Sequence, residues 1–153
     1  MPTIELITRV PAAPRQCFEL SLSVDAHTAS MRASGERAVG GVTAGVMGLG
    51  DVVTWRARHF GVPFTMTSRI SAHDAPHRFV DEQVSGPFRR WHHEHRFDAD
   101  GDGTVMTDVA TFESPAWWVG RAVDRLVLTS YLTRLLTVRN EWLTAALASP
   151  GRV

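Results

Sequence analysis

The chain has 153 residues, 44% of them apolar, and its 16 basic side chains balance its 16 acidic ones. That length and apolar share suit one domain with a full hydrophobic core and exclude wholesale disorder. A neutral chain without a basic block gives no electrostatic basis for a nucleic-acid or anionic-membrane partner, and the single cysteine, Cys17, excludes a disulfide framework.

The opening "MPTIELITRV" alternates and lacks the charged start and apolar run of a signal peptide. No apolar run approaches the roughly 18 residues that span a bilayer, so a cytoplasmic protein is expected. Thr3 to Val10 reads as a strand with Ile4, Leu6 and Val10 on one face. Pro14 suits the first turn of a helix carrying Cys17, Phe18 and Leu22. Asp25 stands as the N-cap of a second short helix ending near Met31. Ala38 to Gly50 holds five glycines and no charge. It predicts a weak edge strand and a loop, with a mobile flap over a pocket mouth as the functional alternative.

From Asp51 onward, strands and short turns alternate. "DVVTWRARHF", "FTMTSRI", "RFVDEQVS", "WHHEHRFD" and "TVMTDVATF" form an antiparallel meander, turning at "GVP", "AHDAPH", "GPFRR" and "ADGDG". Trp55, Ala57 and His59 share one face of their strand, and Arg56 and Arg58 take the solvated one. "DADGDG" matches the opening of a calcium loop, but the required twelfth-position Glu is Val109, so a hairpin turn is expected.

After Pro115 the period changes. Val123, Val127, Tyr131, Leu135, Val138 and Trp142 step by four or three, and Leu128, Leu132, Leu136 and Leu143 widen the stripe. This predicts one amphipathic helix from Gly120 to Ala148. One of Trp117 and Trp118 is expected to be exposed near a pocket mouth. Arg121, Asp124 and Arg125 read as helix-surface pairs; Arg139 and Asn140 sit near the stripe, and Arg139 either reaches into the cavity or, as is more common, carries its head to water. Residues 1–148 form one domain, and Ser149–Val153 a short tail.

Asp81, Gln83, Gly86, Pro87, His93, His95, Phe97, Gly103, Thr104 and Asp108 carry a resemblance. Together with the element order, they resemble the START-like, or SRPBCC, superfamily over nearly the whole chain, in its bacterial branch of cyclase/dehydrase-like ligand-binding proteins. The resemblance implies an α+β helix-grip fold: a curved antiparallel sheet wrapped around the long C-terminal helix, two short helices after the first strand, and a cavity between sheet and helix. That superfamily spans lipid carriers, hormone- and metabolite-binding proteins, polyketide cyclases and ring-hydroxylase subunits. It therefore implies no single reaction and no shared catalytic set.

His93 and His95 share a strand face with Phe97, which aims both imidazoles at the core. If Phe97 pairs opposite Thr104, His95 faces Met106 and His93 faces Asp108. On the other side, one register of the hairpin sets Asp81 beside His93 and Gln83 beside Trp91, while a one-residue slip sends Asp81 outward. The first register gives an inward histidine a carboxylate on either side, as buried polar groups require. Candidate ligand contacts are Trp55, Asp81, Gln83, Trp91, His93, His95, Met106 and Asp108.

Three functions fit this pattern. One is binding of a small hydrophobic or amphipathic molecule. Another is a cyclase/dehydrase-like enzyme with His93 as general base, oriented by Asp108 or Asp81. A third is a protein-interaction module. Neither Cys17 nor any serine sits in a recognisable nucleophile motif. Two histidines two residues apart can chelate, with Asp81 or Asp108 completing a site, but no third histidine stands at a known spacing. No metal and no cofactor are assigned.

Overall fold

A computed structural model describes residues 2–114 and 124–148 of the chain. Expectations for Trp117, Trp118, Arg121 and the tail fall outside them, as do those for the side chains of Asp124 and Arg125. The described elements are β1 (Thr3–Val10), α1 (Pro14–Ser21), α2 (Val24–Ser30), β2 (Arg37–Gly41), β3 (Val52–His59), β4 (Val62–Asp74), β5 (Arg78–Ser85), β6 (Arg90–Asp100), β7 (Gly103–Glu113) and α3 (Thr129–Ala148). A π-helical turn, Asp124–Leu128, leads into α3.

All described pairings are antiparallel, in the order β1-β7-β6-β5-β4-β3-β2. The sheet curves round α3 in the expected helix grip, with α1 and α2 packed at one end. The core divides in two. Phe18, Phe79, Phe97 and Met106 pack with α1, α2 and the end of α3, while Ala110 and Phe112 pack with Leu128, Leu132 and Leu136.

Several local expectations are corrected. Ser23, not Asp25, caps α2, its hydroxyl accepting from Ala26 N at 3.1 Å. The β3–β4 turn falls on Phe60 and Gly61, both at positive φ, rather than on "GVP". Pro63 is tolerated within β4 because that end of the strand lies beyond the reach of β5. The β6–β7 turn is only Gly101 and Asp102, so both strands run longer than expected. Phe97 therefore pairs with Met106, and Thr104 with Ala99.

The helix is turned relative to the expected stripe. Leu128, Leu132, Leu136, Arg139, Asn140 and Leu143 face inward, whereas Val127 and Val138 are exposed. Each four-residue step turns about 400°, so a run of fours walks off a face that a 3.6-residue period keeps.

Candidate functional site

Strands β5, β6 and β7 bring Asp81, the two histidines and Asp108 to one inner patch. Asp81 pairs with His93 across β5–β6, as expected, and His95 pairs with Asp108 across β6–β7. The two-residue shift in the second register leaves every side chain on its predicted face, because the strand period is two. His93 and His95 are 3% and 2% exposed, and Asp108 is fully buried.

The cluster is tightly bonded. His93 Nε2 lies 2.9 Å from Asp108 Oδ1, and His95 Nε2 lies 2.7 Å from Asp81 Oδ2. His95 Nδ1 approaches Asp108 Oδ1 to 3.2 Å without the alignment of a hydrogen bond and has no hydrogen-bond partner. The two imidazoles stack with centroids 3.8 Å apart, and Phe79 stacks on His95 at 4.0 Å. Trp91 Nε1 donates to the other Asp81 oxygen at 3.4 Å.

Sequence reasoning set Arg139 and Asn140 beside the stripe but did not connect them to Asp108. Arg139 donates through Nη2 to Asp108 Oδ1 at 2.7 Å, and Asn140 Nδ2 donates to Asp108 Oδ2 at 2.7 Å. Arg139 is 6% exposed and does not carry its head to water. Asn140 Oδ1 accepts from Arg139, and its amide reaches Thr8 on β1 at 3.1 Å. Asp108 thus ties the helix to β7, the strand beside the edge strand β1. The available signal was position: Arg139 and Asn140 follow Leu136 by three and four residues, on its inward face.

These contacts separate the protonation states. Burial opposes the charge on Asp108, but Arg139 and then the histidines outweigh it and hold the carboxyl well below its usual range. Burial likewise opposes ionisation of Asp81, and the bond from His95 and the nearby positive charges still bring it down to about 2. His93 is pushed down to about 4, first by burial and then by the charge of His95. His95 moves the other way: its contacts to Asp108 and Asp81 overcome burial and raise it. At neutral pH, His93 is the uncharged imidazole. Its Nε2–H donates to Asp108, and Nδ1 keeps its lone pair.

A cavity of about 180 Å³ opens above this floor. Asp81, Trp91, His93 and His95 line it, with Trp55 and Leu136 among its walls. A second chamber of about 120 Å³ continues toward the β3–β4 hairpin, lined by Phe60, Phe64, Leu128 and Tyr131. The chambers share Glu36, Trp55, His59, Met66, Phe88 and Leu132. Three expected contacts lie elsewhere. Met106 is buried in the core with Phe97. Asp108 sits behind the histidines rather than among the lining groups. Gln83 is not paired with Trp91, because the ladder ends at Glu82–His92 and its amide instead bonds the backbone of Phe88 at 2.7 and 3.2 Å.

Asp81, His93 and His95 place one donor atom each within 4.8 Å of one another, a set that could hold a metal ion. As they stand, stacked rings direct their nitrogens side by side rather than to one point. Coordination would require the rings to splay and the His95–Asp81 bond to be replaced.

No protein-family model and no curated protein sequence matches the chain. Solved structures do match. The aromatase/cyclase ZhuI from Streptomyces sp. R1128 aligns with a TM-score of 0.76 at 17% identity, over 99% of each chain. TTHA0849 from Thermus thermophilus aligns with 0.75 at 19% identity, over 95% of this chain and 99% of that one. A START superfamily protein from Mycobacterium smegmatis aligns with 0.71 at 8% identity, over 95% and 97%. The chain has the START-like helix-grip fold; at these identities the likeness establishes the fold alone. Among the described residues, no helix is long and apolar enough to cross a membrane.

Proposed function

We propose that the protein binds a small amphipathic molecule of about two rings in the cavity between sheet and helix, with a polar group of that molecule set against His93, and that it does so in the cytoplasm. The observation carrying this reading is the cluster of buried His93, His95, Asp108 and Arg139 with half-buried Asp81 beneath an apolar two-chambered cavity. A cavity of about 150 Å³ takes a benzene ring, so two connected chambers of comparable size suit two rings. Apolar walls supply affinity, and a few convergent polar groups fix orientation.

Native mass spectrometry of the purified protein tests the proposal. A retained small molecule that is lost on denaturation supports it. The bare chain mass from every source, with no mass gained when two-ring aromatic alcohols are added, contradicts it.

A second reading, a cyclase/dehydrase-like enzyme, is favoured by one observation. His93, a residue of the cavity floor, is uncharged and held through Nε2 by Asp108, which leaves a lone pair on Nδ1, 3.8 Å from Asp81 Oδ2. That is the arrangement of a general base.

A further inference from the structure

We infer that the outer part of the cavity contains a second polar subsite, centred on Glu36, that takes an ammonium or other hydrogen-bond-donating end of the ligand and rejects an anionic one. The inference rests on the cavity-binding reading and adds the chemistry of the ligand's far end.

Three elements and one connecting segment bring polar groups to this wall. His27 on α2 lies with Nε2 2.8 Å from Glu36 Oε1. His59, at the end of β3, lies with Nδ1 2.7 Å from the Tyr131 hydroxyl of α3. Glu36 follows the short 3₁₀ turn Arg32–Ser34, and its side chain is only 11% exposed. It lies close enough to act electrostatically on both His59 and Tyr131. The imidazole of His27 rests on Trp55, with centroids 4.3 Å apart.

Charge and free valence decide what this wall accepts. Glu36 lines both chambers, and among the described residues its carboxylate is hydrogen-bonded only to His27, through Oε1. Its second oxygen is available to a ligand. Asp81, the other cavity carboxylate, already accepts from His95 and Trp91 on its two oxygens. The lining guanidinium, Arg139, is committed to Asp108 and Asn140. A ligand ammonium therefore finds an unspent acceptor at Glu36. Among the described residues, a ligand carboxylate finds two carboxylates and no unspent cation, in surroundings where charge is weakly screened.

The test uses three probes with one two-ring body: biphenyl, 4-phenylbenzylamine and 4-phenylbenzoate. Binding is followed by tryptophan fluorescence. In the unmodified protein the amine should bind about tenfold tighter than the benzoate, as one charge-assisted contact against one repulsion gives. Glu36→Gln, which retains a bond to His27, should abolish most of that difference while leaving biphenyl within about twofold. Unchanged biphenyl binding also shows that the variant's cavity is intact. Equal binding of amine and benzoate overturns the subsite while the cavity reading stands. So does a preference that survives Glu36→Gln and is lost in Asp81→Asn, because the donor then sits on the deep floor. Failure of biphenyl itself overturns the cavity reading and this inference with it.

Discussion

His92 and His93 are adjacent on β6 and face opposite sides of the sheet, which makes them a matched pair. His93 contacts two carboxylates at the cavity floor; His92 pairs with Glu82 and Thr111 on the outer face. His93→Ala should cost about 1–3 kcal/mol, because a fully buried Asp108 loses a partner. His92→Ala should stay within about 0.5 kcal/mol. Urea denaturation of both variants checks this, and equal effects would contradict the assignment of faces. Acid should expose the cluster in stages. His93 has a depressed pKa, so its contribution is present above about 6.5 and fades as pH falls to about 4. His95 has a raised pKa and contributes in the opposite sense, being lost as pH rises past its ordinary value of 6.5. Asp81, depressed from 3.8 to about 2, contributes about 2 kcal/mol above pH 4 that is lost between those two values. Asp81→Asn should therefore flatten the stability curve between about pH 4 and 2, as measured by denaturant midpoints; an unchanged slope would contradict the coupling. The four strand residues of this cluster were legible because a period of two fixes which side chains share a face. Arg139 was not: a lone arginine beside an apolar stripe ordinarily reaches water, and its partner Asp108 lies 31 residues away in the chain.

At the scale of elements, turn length separates what was legible from what was not. "ADGDG" identified a hairpin, but the number of residues it spends on the turn fixes the register. The observed two-residue turn shifts pairing by two, so faces survive and neighbours change. The α3 stripe shows the same division: apolar spacing located the helix, and the drift of four-residue steps misplaced its inward face. The glycine-rich segment lacks charges of its own but is anchored from outside. Val24 N donates to Gly45 O at 2.8 Å, Met47 N to Leu22 O at 3.0 Å, and Asp25 accepts from Gly45 N at 3.0 Å. Met47 is buried against the cavity. Hydrogen exchange should accordingly be slow at Gly45 and Met47 and fast at Thr43, Ala44 and Leu49, with the whole segment faster than Arg78–Val84. Uniformly slow exchange across 40–50 would rule out a flap that opens between those anchors.

At the scale of the molecule, the sequence carried the fold through element order, which survives at identities below 20% to the matched structures. The cavity's second polar wall was not legible. It combines His27, His59 and Tyr131 from three elements with Glu36 from a connecting segment, and no local spacing relates them. On the proposed reading, the space between sheet and helix is a binding site floored by His93. The most direct measurement is a titration of isotopically labelled protein with 4-phenylphenol, followed by two-dimensional NMR of backbone amides and imidazole nitrogens. Perturbations are expected at Trp55, Met66, Leu132 and Leu136, with a shift of the His93 ring nitrogens as the hydroxyl meets Nδ1. Spectra that do not change, or that change only at outer-face residues such as Arg56, Glu82 and His92, would contradict it.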